Sequence, residues 1–148
     1  MQAEPIKILL VEDNPGDVEL VKRSLRNGKL TNVLYQVKDG VEAMKFLRNS
    51  NSEEKNPCPD LVLLDINLPN KNGLEVLEEI KEDPILKTIP VIMLTTSSAD
   101  SDILLSYKHH VNAFVTKPVD AQEFVETVKT IEEFWLTLVK LPSKIKDV

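Results

Sequence analysis

The run Asp60-Leu61-Val62-Leu63-Leu64-Asp65 constrains the fold more than any other segment of the chain. Its unbroken apolar stretch, with no polar alternation, describes a strand buried on both faces, as internal strands of parallel sheets are. A carboxylate that closes such a strand should not be free, and open α/β sheets build their sites at the carboxyl ends of strands. Three further runs end in the same way. Ile6-Lys7-Ile8-Leu9-Leu10-Val11 leads into Glu12-Asp13, Val91-Ile92-Met93-Leu94 into Thr95-Thr96, and Ala113-Phe114-Val115-Thr116 into Lys117-Pro118. Side by side and parallel, these strands would bring three carboxylates, a hydroxyl and an ammonium to one edge of one sheet. That is the outline of a phosphorylatable metal site.

Helical patterns alternate with the strands. Asn14-Pro15-Gly16-Asp17 offers an N-cap, a proline at the first helical position and an acid in the first turn. Val18, Leu20, Val21 and Leu25 carry that helix. Asn32 to Val37 reads as a strand, and a second helix begins near Gly40 with Val41, Met44, Phe46 and Leu47. The polar stretch from Asn49 to Pro59 reads as an exposed loop. Leu74, Val76, Leu77 and Ile80 mark a third helix closed before Pro84, because proline cannot continue one. Ser97-Ser98 cap a fourth helix with Ile103, Leu104, Leu105 and Tyr107. Asp120-Ala121-Gln122-Glu123 reads as a capping box for a last helix, from Ala121 to about Val139. Five strands alternating with five helices predict a doubly wound parallel sheet, since right-handed crossovers place helices on both faces. The order 2-1-3-4-5 suits a site at the ends of the first, third, fourth and fifth strands.

A chain of 148 residues is the size of one domain, and no repeat or second domain is evident. A net charge of −6 disfavours nucleic acid as the main partner, because phosphate backbones select basic faces. The single cysteine, Cys58, excludes an intramolecular disulfide and fits a reducing, cytoplasmic setting. No apolar stretch approaches the roughly 20 residues that span a bilayer, and the start has no signal-peptide pattern.

Leu10-Val11-Glu12-Asp13-Asn14, then Leu64-Asp65-Ile66-Asn67-Leu68-Pro69 with Gly73, then Leu94-Thr95-Thr96 and Val115-Thr116-Lys117-Pro118 follow one another in order. This pattern resembles the receiver domain of two-component response regulators over nearly the whole chain. Asn14-Pro15-Gly16-Asp17-Val18-Glu19-Leu20 and Phe134-Trp135-Leu136-Thr137-Leu138-Val139-Lys140-Leu141-Pro142 resemble a narrower group, the stand-alone regulators that partner cyanobacterial phytochrome histidine kinases. The resemblance implies a flavodoxin-like receiver core over residues 5–130, a C-terminal helix extension over 131–148, and no output domain. It implies Asp65 as phosphoacceptor, with Lys117 and Thr95 serving the phosphoryl group. Mg²⁺ would be held by Asp13, Asp65, the backbone carbonyl of Asn67 and, through water, Glu12. Thr95 and Phe114 would form the switch pair, with Asn67 and Ser97 at the positions that tune hydrolysis. In that family the Lys-Pro bond is cis. The chain departs from the pattern twice: Phe114 replaces the commoner tyrosine, and His110 stands where glycine often ends the helix before the fifth strand.

Each residue alone also has a plainer reading. Glu12-Asp13 could open a solvated loop, Asp65 could be an ordinary strand end, Thr95 a cap, Lys117 a surface lysine and Phe114 a core aromatic. Their joint placement at one edge favours the site, and three carboxylates so close need a cation besides Lys117. A phosphohydrolase of the haloacid dehalogenase type would want a second aspartate two residues after the nucleophile, where this chain has Asn67. No glycine-rich phosphate loop follows any strand. A turnover enzyme is therefore not expected. A receiver-like scaffold that is never phosphorylated remains as a rival, although its usual sign, a lost acidic or lysine residue, is missing. In the last helix Phe124, Val128, Ile131, Trp135 and Leu138 form a core-facing stripe. Phe134, Leu136, Val139 and Leu141 add apolar surface on other sides, which predicts a homodimer through this extension and the fifth-strand face. The alternative is that these residues fold back over the domain's own core.

Overall fold

The computed structural model of the chain describes residues 5–26, 31–49 and 57–144. Five strands, β1 (Ile6–Val11), β2 (Asn32–Val37), β3 (Leu61–Leu64), β4 (Val91–Thr95) and β5 (Ala113–Thr116), form one sheet in the order β2-β1-β3-β4-β5. All neighbours run parallel, with Leu10 opposite Leu63, Leu64 opposite Met93, and Met93 opposite Phe114. Between them run α1 (Pro15–Arg26), α2 (Gly40–Asn49), α3 (Gly73–Glu82), α4 (Asp100–Lys108) and α5 (Ala121–Ile131). The loop expected from Asn49 to Pro59 lies mostly outside the described residues.

The period-two alternation of a strand divides the core in two. Leu9, Val11, Val62, Leu64, Val91 and Met93 face Ala43, Met44 and Leu47 of α2 and Val76, Leu77 and Ile80 of α3. Ile8, Leu10, Leu61, Leu63, Ile92 and Leu94 face Val18, Val21 and Leu25 of α1 and Phe124, Val128 and Ile131 of α5. Every residue of β3 and β4 is buried, as the apolar runs predict. Each such side chain contributes roughly 1.5–3 kcal/mol through removal from water. Asn14 caps α1 by accepting the Asp17 N–H at 3.1 Å, and Asp120 caps α5 by accepting the Glu123 N–H at 3.0 Å.

Four local features differ from the sequence reading. Ser97 and Ser98 do not cap α4; Ala99 is its N-cap residue, without a side-chain bond, and Ser97 Oγ donates to Asp102 at 2.6 Å. A full capping box forms instead at Asn72 and Glu75, in front of α3. His110 adopts the left-handed conformation, φ 67°, so the chain keeps the turn that glycine usually makes there. For a residue with a Cβ this costs about 1–2 kcal/mol.

The fourth difference is the largest. The last helix stays α-helical only to Ile131, and Glu132–Leu138 winds as a π-helix, closed by the Val139 N–H bonding the Phe134 carbonyl at 3.0 Å. An i→i+5 turn advances the chain more slowly around the axis than an α-turn. The buried stripe therefore passes from Phe124, Val128 and Ile131 to Leu136 and Leu141, with Trp135 half-buried against the same core as expected and Leu138 turned away from it. Leu136 is 7% exposed, whereas Leu138 is 77% exposed. A short 3₁₀ turn, Pro142–Lys144, follows, and Ser143 Oγ donates to the buried Asp60 carboxylate at the opposite end of β3 from Asp65.

Candidate phosphoacceptor site

The parallel order β2-β1-β3-β4-β5 places the carboxyl ends of β1, β3, β4 and β5 in a row. Glu12 and Asp13 follow β1, Asp65 follows β3, Thr95 ends β4 and Lys117 follows β5. Backbone bonds between neighbouring strand ends hold them in place. The Glu12 N–H donates to the Val37 carbonyl at 3.0 Å, the Asp65 N–H to Val11 at 3.1 Å and the Lys117 N–H to Thr95 at 2.7 Å. Behind Asp65 the loop is packed tightly, with the Gly73 N–H bonding the Ile66 carbonyl at 2.9 Å. A Cβ on Gly73 would lie 2.1 Å from the Asp65 carbonyl oxygen, so this position admits no side chain.

Glu12, Asp65 and Lys117 are buried, whereas Asp13 and Asn67 are exposed at the mouth. The Lys117 ammonium has three N–H donors, and the structure directs them to three carboxylates. It bonds Glu12 Oε1 closely, Asp17 Oδ2 at 2.9 Å and Asp65 Oδ2 at 3.2 Å. The Asn67 N–H donates to Asp65 Oδ1 at 3.3 Å and the Asn14 N–H to Glu12 Oε2 at 3.2 Å. Thr95 is fully buried, and its Oγ1 accepts from the Ser97 N–H at 3.4 Å. Phe114 is half-buried and packs against the core beneath α2 and α3. The Lys117-Pro118 bond is trans, in contrast to the cis bond that the resemblance implies; no cis peptide occurs among the described residues.

Burial pushes the Glu12 carboxyl up to about 7; the Lys117 hydrogen bond opposes the rise and the charge of Asp65 adds to it. Burial alone would lower the Lys117 ammonium, but its bonds to Glu12 and Asp17 and the charges of Asp65 and Glu12 hold it well above its ordinary value. Lysine is thus locked in its charged form, while the carboxylates beside it outnumber it. One oxygen each of Glu12, Asp13 and Asp65 lie within 4.8 Å of one another. A set made only of carboxylate oxygens suits a hard divalent cation, which would supply the missing positive charge. The sequence reading missed Asp17, taken there only as a first-turn acid. Its position four residues after Asp13, at the start of the helix that leaves β1, was the available signal.

Residues 8–129 match the family model of the response regulator receiver domain. The chain belongs to the response regulator receiver family. It is 45% identical over 139 residues to the response regulator Rcp1 of Synechocystis sp., a match that covers 94% of this chain and 95% of that protein. Among solved structures it resembles the phosphorylated cyanobacterial phytochrome response regulator RcpA, with a TM-score of 0.89 and 48% identity over 94% of this chain and 99% of that one. The Mn²⁺-bound form of Rcp1 superposes with a TM-score of 0.88 at 46% identity, covering 93% of this chain and 99% of that one. The receiver fold expected from the strand-end pattern, with its sheet order, is therefore the observed one. Among the described residues no helix is long and apolar enough to cross a membrane.

Proposed function

We propose that this receiver is a stand-alone response regulator that accepts a phosphoryl group on Asp65 from a sensor histidine kinase, a phytochrome. The observation that carries this reading is the meeting of Asp65, Lys117 and the Glu12-Asp13 pair at one sheet edge. An oxygen of the Asp65 carboxylate attacks phosphorus, and the bond from phosphorus to the donor imidazole breaks. The electron pair returns to the imidazole nitrogen, which takes a proton. Little covalent work falls to the protein in such a transfer, and positioning and charge neutralisation dominate. Lys117 moves the N–H that now bonds Asp65 Oδ2 onto a phosphoryl oxygen, and Thr95 Oγ1 donates to another. Glu12, Asp13, Asp65 and the Asn67 carbonyl would hold Mg²⁺, which when bound neutralises charge on the phosphoryl oxygens. The similarity to regulators described as phytochrome-linked and Mn²⁺-binding supports both the kinase type and a divalent ion.

The receiver consumes one phosphoryl group per cycle and turns over no separate substrate, and it acts in the cytoplasm. Its output is contact with another protein, not with nucleic acid or membrane. The buried Thr95 and the half-buried Phe114 report the phosphoryl group to the β5 face. Phe134 and Leu138, exposed on the C-terminal extension, support a homodimer through this segment and the β5 face. Leu136 and Leu141 have instead folded back onto the core, so only part of that apolar surface is left for a partner. Intact mass after incubation with acetyl phosphate and Mg²⁺ tests the reading. One added phosphoryl group, absent from Asp65→Asn and from a chelated sample, is expected. Equal uptake by Asp65→Asn would refute the assignment.

A further inference from the structure

Lys117 is anchored from three sides, and its three partners are not equivalent. Glu12 and Asp65 belong to the carboxylate cluster that suits a divalent cation; Asp17 lies outside it. When a cation and a phosphoryl group occupy the site, Glu12 and Asp65 both gain other partners. Asp17 is no part of that cluster, so its 2.9 Å bond to Lys117 Nζ is the one anchor that does not draw on it. The mount is rigid. Asp17 stands in the first turn of α1, its own N–H held by Asn14 Oδ1 at 3.1 Å. The next residue, Val18, is buried in the core with Val21. Lys117, by contrast, follows a short edge strand and carries its charge at the end of a flexible four-carbon stem.

We propose that Asp17 is a positioning residue for phosphoryl transfer, which holds the Lys117 ammonium where the phosphoryl oxygens of the donor arrive. This rests on the reading of Asp65 as phosphoacceptor. Without the carboxylate at 17, the Lys117 ammonium loses its anchor outside the carboxylate cluster and meets the donor less often. The loss falls on capture of the donor, not on cation binding. An acid in the first turn also favours a helix electrostatically, and a purely structural role would end there.

The test compares wild type, Asp17→Asn and Asp17→Glu, with acetyl phosphate as donor and Mg²⁺ at a fixed concentration. Asparagine keeps the shape and removes the charge; glutamate keeps the charge on a longer stem. Loss of one charge-assisted bond predicts a rise of about five- to tenfold in the acetyl phosphate concentration that gives half-maximal rate for Asp17→Asn. Mg²⁺ affinity by calorimetry stays within about twofold. Asp17→Glu recovers more than half of the loss. Wild-type donor dependence in Asp17→Asn, or no recovery in Asp17→Glu, overturns the inference. So does a tenfold fall in Mg²⁺ affinity, which would put Asp17 on the cation. If wild type takes up no phosphoryl group, the underlying reading fails and this inference with it. If wild type and Asp17→Asn take it up alike, only this inference fails.

Discussion

Lys117 directs one N–H to each of Glu12, Asp17 and Asp65, yet one ammonium cannot balance three carboxylates in a buried pocket. Burial, with the charge of Asp65 added to it, pushes Glu12 up to about 7, so the two carboxylates disfavour each other's charge. Asp65→Asn should therefore raise stability at neutral pH in chelated buffer by of order 1 kcal/mol. Thermal unfolding checks this; the gain should shrink when Mg²⁺ is added, and a loss in chelated buffer would count against it. The site was legible in the sequence at this scale for a physical reason. Glu12, Asp65, Thr95 and Lys117 each follow an apolar run, and parallel strands in one sheet can only bring such ends together. Asp17 was not legible in the same way. It belongs to a helix, and the rotation of that helix about its axis, which aims the carboxylate at Lys117, is set by the packing of Val18, Val21 and Leu25.

The elements follow from periodicity wherever the hydrogen-bond ladder is ordinary. Periodicity fails at the C-terminal helix, because Phe134-Trp135-Leu136-Thr137-Leu138 offers an apolar residue to almost any phase and the π-helix chooses among them. Leu136→Ala should cost about 2–3 kcal/mol, as buried leucines do, and Leu138→Ala less than about 0.5 kcal/mol. Denaturant unfolding of the two variants measures this, and the reverse order would restore the α-helical stripe. A second element-scale effect joins α2 to α3. Glu79 of α3 takes bonds from Lys71 and from Arg48 of α2. Burial raises its carboxyl, but those two cations more than offset this and lower it below its ordinary value. A carboxyl lowered by folding stabilises above its unfolded pKa, and that stability is lost as pH falls through the folded value. Glu79→Gln should thus cost about 0.5 kcal/mol at pH 7, the usual scale for such partly exposed pairs. Thermal melts in acid, below the carboxylate range, should find the two proteins alike.

For the whole molecule, the sheet order and both helical layers could be read from the alternation of runs, and the structure places them as expected. Which apolar side chains stay at the surface could not be read that way. Leu104, Leu105 and Tyr107 are exposed on α4, where Ser106 is the only buried residue, and their mixed spacing gathers no single apolar face along the helix. Phe134 and Leu138 are exposed on the extension. If they carry the homodimer, Phe134→Ser with Leu138→Ser should weaken self-association at least tenfold in sedimentation equilibrium while leaving the melting temperature within a few degrees. Unchanged association would move the interface elsewhere. Whether Asp65 is the residue that carries the phosphoryl group is read most directly by trapping it. Borohydride reduces an aspartyl phosphate to homoserine, and peptide mapping then locates the change in the chain. After treatment with acetyl phosphate and Mg²⁺, homoserine is expected at position 65 alone. Homoserine at position 13, 17 or any other acid, with Asp65 intact, would contradict the account.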